Sequence, residues 1–164
     1  MRITTHALAT EGIKLALRAG FDSIDHATYV DNEIISLFRE TKAFYIPTLV
    51  ASVCQMEHLE QIPDFVAKKI QRHIGREYEG LKRFISAAIP LAGATDAGTP
   101  LNNHGNLPRQ LSLLHEYGLS RLQALAAGTS GSAEAIGIQD ETGSLEVGKS
   151  ADILVVDGDR KSVV

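Results

Sequence analysis

Hydrophobic and polar positions along this chain switch repeatedly between two periods. Short apolar or β-branched runs alternate with longer stretches whose apolar residues fall three or four apart. Ile3–His6 is the first such run. From about Thr10 to Ala19, Ile13, Ala16 and Leu17 share one helical face, and Gly20 supplies a stop. A short strand at Ser23–Asp25 follows. Asp31 is placed to cap a helix over about Asn32 to Lys42, with Ile34, Ile35, Leu37 and Phe38 on its buried side. Phe44–Leu49 reads as another strand, with Pro47 near its end. Pro63 opens the longest helix, running to about Ala88. Val66, Ile70, Ile74, Tyr78, Leu81 and Ile85 form its apolar stripe, and Lys68, Lys69, Arg72, Arg76, Lys82 and Arg83 occupy its other faces. A strand at Pro90–Ala94 leads into a loop rich in Gly, Pro and Asn, Thr95 to Asn106. Helices are then predicted over about Leu107–Tyr117, Ser120–Ala127 and Ser132–Ile136. The tail holds a turn at Glu146–Lys149 and a strand at Asp152–Val156.

Alternating strands and helices predict parallel strands joined by right-handed crossovers. Four such units precede the tail, half the number in an eight-stranded barrel. The pattern turns from helical to short β segments near Gly143, so the expected division is 1–142 and 143–164. A chain of 164 residues with 44% hydrophobic and 22% charged residues can bury a core, which excludes the disordered and fibrous classes. A net charge of -4 argues against nucleic acid as a partner. The basic residues of the long helix are interleaved with Glu77 and Glu79 and read as a solvated face. The one cysteine, Cys54, rules out an intrachain disulfide and reads as a small buried residue. With no apolar run of membrane-crossing length and no signal peptide at Met1–His6, the expectation is a cytoplasmic protein without a membrane partner.

Three of the strands end in groups able to bind a metal: His6, His26 and Asp96. Tips of parallel strands in a (β/α) barrel converge on one face, and two imidazoles with a carboxylate suit a catalytic metal. Zinc fits these donors, as do other divalent ions. A bound metal makes water acidic enough to attack at neutral pH. Asp96 can bind metal, orient that water, take its proton and pass it to a leaving amine. Each residue also has a plainer reading. A lone histidine is commonly a surface or satisfied core residue, and Asp96 can serve as a loop or capping residue. Asp25 and Thr95 adjoin the candidate ligands as orienting groups but point to the opposite face of a strand. Tyr29 can offer its hydroxyl to a substrate carboxylate or sit half-buried in its loop. His104 can face substrate or solvent. Arg109 reads as a helix-surface cation, and His58, His73 and His115 as structural.

Several motifs, taken in order, resemble the amidohydrolase superfamily, in particular the branch with imidazolonepropionase-like enzymes and Xaa-Pro dipeptidases. They are Thr5-His6-Ala7 with Gly12-Ile13; Ala19-Gly20-Phe21-Asp22-Ser23-Ile24-Asp25-His26; Gly93-Ala94-Thr95-Asp96-Ala97-Gly98-Thr99-Pro100; His104-Gly105; and the tail from Thr142-Gly143 through Ala151-Asp152-Ile153-Leu154-Val155-Val156 to Asp159. The resemblance implies an α/β fold: the C-terminal half of a (β/α)8 TIM barrel, strands five to eight, plus a small β segment of a composite β-sandwich domain. It places His6, His26 and Asp96 at the ends of strands five, six and eight, as ligands of one or two divalent ions such as Zn2+. It also implies a His-X-His pair on strand one and a bridging carboxylated lysine on strand four. The sequence contains no His-X-His, and that lysine would lie before Met1. The chain therefore reads as a truncated frame, a fragment or one subunit of a split barrel.

The expected activity is hydrolysis of a C–N bond in a small polar substrate, a dipeptide or an N-acyl amino acid, with Asp96 as proton shuttle. A second expectation is a half-barrel inactive alone, which forms a homo-oligomer or pairs with a complementary half. A third is a mononuclear imidazolonepropionase-like or deaminase-like hydrolase, in which one histidine helps to bind substrate.

Overall fold

Among the described residues three short parallel strands carry the fold: β1 (Thr4–Ala7), β2 (Ser23–His26) and β3 (Phe44–Ile46), in spatial order β1-β2-β3. The computed structural model describes residues 1–155. Thr5 pairs with Ile24 and His6 with Asp25, while Ile24 also pairs with Tyr45. All of β3 and the first half of β2 are buried, as expected where helices cover a parallel sheet on both faces. The fourth predicted strand is reduced to Leu91, which bridges to Tyr45. The Tyr45 amide donates to the Pro90 carbonyl at 2.9 Å and the Ala92 amide to the Tyr45 carbonyl at 3.2 Å. Pairing stops there because the Gly93 amide donates to Ala127 instead, at 2.7 Å. Helix backbone also crowds this segment. A Cβ added at Gly131 would stand 2.6 Å from the Leu91 carbonyl oxygen, so that position tolerates no side chain.

Among the described residues seven α-helices surround the strands: α1 (Thr10–Arg18), α2 (Asn32–Thr41), α3 (Leu49–Met56), α4 (Asp64–Ser86), α5 (Leu107–Glu116), α6 (Arg121–Gly128) and α7 (Ser130–Ile136). Asp31 caps α2 as predicted, its carboxylate accepting from the Ile34 amide at 2.9 Å. The same carboxylate helps to anchor α1. The Lys14 side chain is only 10% exposed, and its ammonium lies 2.7 Å from Asp31 and 2.6 Å from Glu33. Those carboxylates hold the Lys14 ammonium well above the usual lysine range.

The strand predicted to run to Leu49 ends at Ile46, and α3 begins at Leu49. Pro47 has no amide to extend the ladder. Its carbonyl accepts from Gln110 Nε2 at 2.9 Å, and Gln110 Oε1 accepts from the Val50 amide at 2.9 Å. One fully buried side chain thus fixes the turn from strand into helix. Along α4, Ile70 and Leu81 of the predicted stripe are buried, and so is Phe84, which the stripe did not include. Phe84 stacks on Tyr45 with ring centroids 3.9 Å apart and meets Phe38 edge-on at 4.9 Å. These rings join α2, α4 and β3 into the core.

In the tail the turn forms, with the Lys149 amide donating to Glu146 at 3.2 Å. The predicted strand Asp152–Val156 does not: residues 151–155 carry no regular structure. Among the described residues nothing lies alongside to complete its ladder, and an unpaired strand leaves its backbone groups to water. Residues 156–164 of the predicted 143–164 β segment lie outside the described residues. No helix among the described residues is long and apolar enough to cross a membrane.

Candidate active site

Strand register decides where the candidate ligands stand. His6 is the third residue of β1, His26 the last of β2, and Asp96 follows the Leu91 segment. His6 and Asp96 are exposed and His26 is half-buried. All three line one cavity of about 210 Å³. The two imidazoles meet edge to face, with centroids 4.5 Å apart. On a flat sheet the first and fourth strand positions would be roughly 14 Å apart, three spacings of ~4.8 Å. The five residues from Ala92 to Asp96 are enough chain to carry the carboxylate back across that distance to the two imidazoles.

The backbone is strained at this rim. His26 has φ +68°, Ala27 +38° and Asp96 +54°, all in the left-handed region that side chains rarely adopt. Such outliers persist only where surrounding contacts enforce them, and they gather at functional sites. Asn102 is one enforcing contact. It is buried, and its Nδ2 donates to the carbonyls of Thr95 at 2.7 Å and Asp96 at 3.0 Å. Asn106 in turn donates to Asn102 Oδ1 at 3.0 Å.

Burial, followed by the adjacent His6 ring, holds the His26 imidazole below its ordinary range, so it is neutral at pH 7. Its Nδ1 lies 2.6 Å from Thr48 Oγ1. With Nδ1–H donating to that hydroxyl, the lone pair on Nε2 remains for a ligand. Thr48, rather than Asp25 or Thr95, is thus the group that orients His26. Asp25 accepts from Thr4 Oγ1 at 3.1 Å, and burial pushes its carboxyl up. Thr48→Val preserves shape and deletes the hydroxyl. Its expected signature in 15N NMR is a mixture of His26 tautomers in place of the Nδ1-protonated form. An unaltered tautomer would remove Thr48 from this role.

The donor chemistry fits a divalent cation: two imidazoles, one held neutral and oriented, with a carboxylate in the same cavity. Among the described residues, no three His, Cys, Asp or Glu side chains stand close enough to hold a metal ion together. His6 and His26 form a two-donor pair, and further donors are needed to close a coordination sphere.

Helix α4 supplies the opposite wall through Lys69, His73 and Glu77. Ser52 donates to Glu77 Oε1 at 3.0 Å, while Oε2 is buried with no partner among the described residues. Burial raises the Glu77 carboxyl above the usual carboxylate range. Tyr29 Oη lies 2.7 Å from His73 Nδ1. Burial lowers the His73 imidazole, and the charges of Lys69 and Arg72 lower it further. Lys69 is exposed, as expected of a solvated face, and His73 bonds Tyr29; both also line the cavity. The available signal was their spacing, since Lys69, His73 and Glu77 recur every four residues beside Val66 and Ile70.

The other sequence candidates stand apart. Tyr29 bonds His73 from outside the lining of this cavity, and His104 is exposed in the loop after Asp96, also outside it. Arg109 pairs with Glu57 and reaches the sulfur of buried Cys54 at 3.5 Å. His115 Nδ1 bonds the Leu119 carbonyl at 2.8 Å, a structural role.

Comparison with known proteins adds an independent line. The sequence profile of the amidohydrolase family matches residues 1–163. An imidazolonepropionase from Bdellovibrio bacteriovorus is 35% identical over 152 residues, covering 90% of this chain and 31% of that protein. A solved structure from Bifidobacterium longum, assigned as a prolidase, superposes with a TM-score of 0.92 at 32% identity, covering 99% of this chain and 43% of that one. The structure of an Xaa-Pro dipeptidase with methionine in its active site gives a TM-score of 0.83 at 29% identity, covering 92% of this chain and 37% of that one. The chain spans about a third of the length of the curated relatives it matches.

Proposed function

Because the chain belongs to the amidohydrolase family, we propose that it forms the C-terminal half of a (β/α)8 barrel and carries part of a metal-dependent C–N hydrolase site. The observation that carries this reading is the meeting of His6, His26 and Asp96 on one cavity at the strand tips. A divalent ion such as zinc, if held there, would supply a Lewis acid for the scissile carbonyl and a more acidic water. His6 and His26 would hold the ion, and Thr48 orients the His26 ring. Asp96 takes a proton at its carboxylate and returns it to the leaving nitrogen. The open side of the cavity admits a small polar substrate, a dipeptide or N-acyl amino acid, in keeping with the Xaa-Pro dipeptidase and imidazolonepropionase relatives.

Zinc titration of the full chain tests this. The expected result is stoichiometric binding that weakens roughly 100-fold or more in His26→Ala and His6→Ala and less in Asp96→Ala, since ligand loss removes more affinity than the 10–100-fold typical of orienting partners. Equal zinc affinity in wild type and all three variants would overturn the reading.

A second reading is favoured by the absence of a three-donor cluster among the described residues. In it the chain is catalytically silent alone and becomes active on pairing with a second copy or a complementary half. Among the described residues β1 pairs on one side only, with β2, which leaves an edge for such a partner. Size-exclusion chromatography of the isolated chain distinguishes the two, because a strictly monomeric protein with hydrolase activity refutes pairing.

A further inference from the structure

The loop that carries Asp96 holds a backbone conformation that its residues would not choose. Asp96 has φ +54°, Gly98 +96° and Leu101 +66°. Glycine adopts this left-handed region freely, aspartate at modest cost, and a bulky leucine rarely. Some contact must hold the segment there. Among residues 95–106 only Asn102 is buried, at 1% exposure, and each of its polar groups is engaged. Its backbone amide donates to the Thr99 carbonyl at 3.0 Å, and its carbonyl accepts from the Gly98 amide at 2.9 Å. Its Oδ1 accepts from Asn106 Nδ2 at 3.0 Å. Asn106 precedes the first turn of α5, and its Nδ2 also lies 3.6 Å from the sulfur of Cys54 on α3. The Asn102 side chain is therefore braced from behind by two helices.

The remaining group, Nδ2, has two hydrogens and two acceptors. It donates to the Thr95 carbonyl at 2.7 Å and to the Asp96 carbonyl at 3.0 Å. Those two oxygens belong to the two peptide planes that meet at the Asp96 Cα. A residue has only two soft backbone torsions, one toward each plane. One planar amide that grips both oxygens thus sets φ and ψ of Asp96 together. With both torsions set, the direction in which the side chain leaves the Cα is set as well. Thr99 Oγ1 adds a further bond to the Asp96 carbonyl at 3.0 Å.

We propose that Asn102 is a positioning residue for Asp96, a clamp on both flanking peptide planes that aims the carboxylate into the cavity it shares with His6 and His26. The inference rests on the reading of Asp96 as a site residue for its consequence, while the clamp itself stands on the hydrogen bonds. Residues of similar size do not replace asparagine here. Aspartate would turn an oxygen toward two carbonyl oxygens, and leucine would leave both without their donor.

The test uses the full chain with and without zinc. In metal-free, isotope-labelled protein, the one-bond Cα–Hα coupling of Asp96 distinguishes positive from negative φ. Wild type should report positive φ. Asn102→Asp and Asn102→Leu should move the coupling to the negative range while the β1–β3 resonances stay in place. Asn103→Asp, the same charge change at the exposed neighbouring position, should leave it unaltered. If neither Asn102 variant folds, Asn106→Ala, which removes only the brace, should give a coupling averaged between the two ranges. In zinc titrations Asn102→Leu should weaken binding about tenfold, the lower end of the effect of orienting partners. In an Asp96→Ala background the same substitution should weaken it no further, since it acts through Asp96 alone. A merely structural asparagine would lower affinity equally in both backgrounds. Negative φ at Asp96 in wild type, positive φ retained without Asn102, an unaveraged coupling in Asn106→Ala, or an equal loss of affinity in both backgrounds would overturn the proposal. Wild type that binds no zinc defeats the hydrolase reading instead, and the Asp96 coupling still decides the role of Asn102.

Discussion

Phe84→Ala will lower the stability of this chain by about 3–5 kcal/mol, the usual cost of deleting a fully buried aromatic ring. Phe84 is fully buried and touches two other elements at once, Tyr45 of β3 face to face and Phe38 of α2 edge to face. Aromatic pairs of this kind add about 0.5–1.5 kcal/mol beyond the area they bury. The vacated space is bordered by α2, α4 and β3, which cannot all move inward without breaking the strand pairing. Since a domain of this size is stable by only ~5–15 kcal/mol, the variant should show a midpoint in urea far below that of wild type. Phe84→Leu, which refills part of the volume, should recover a substantial share. A loss under about 1.5 kcal/mol for the alanine variant would show that the ring does not join the layers as described.

The second large effect is expected at Gln110, where the loss is polar. Gln110→Leu has nearly the same volume but leaves the Val50 amide and the Pro47 carbonyl without their partner. Each buried group left unpaired costs about 1–3 kcal/mol, so a loss of about 2–4 kcal/mol is expected. The consequence is local as well as global. Pro47 and Val50 flank Thr48, whose hydroxyl meets His26. Hydrogen exchange at the Val50 amide should accelerate by more than the global destabilisation explains, and the His26 ring signals should broaden. Exchange at Val50 matching the global change would mean that Gln110 acts only through the core.

The strand–helix alternation and the placement of His6, His26 and Asp96 were legible because each is a local signal. A β-branched run ends in its candidate ligand, and the helix that follows declares itself by apolar spacing. Asp31 was legible for the same reason, since a cap and its helix adjoin. What escaped the sequence was non-local. Gln110 bonds residues 60 and 63 positions away, and Thr48 lies 22 positions from His26. Nothing near Gln110 marks it as buried, because its partners are backbone groups with no side-chain signature. Helix α3 was missed because Leu49–Met56 is almost uniformly apolar, so no period separates a helix from a buried strand. That the solvated face of α4 also lines a cavity was not legible, because α3 and the strand tips that stand with it are distant in sequence. The fourth strand shrank to Leu91 because α6 and α7 claimed its neighbours' backbone groups, a competition invisible to propensity.

The unpaired side of β1 bears on how copies of this chain would meet. Fibrillar stacking needs flat ribbons that extend without limit, and the inherent twist of a strand works against them. A strand added along Thr4–Ala7 is therefore expected to give small assemblies rather than threads, and long fibrils of the purified chain in electron micrographs would contradict this.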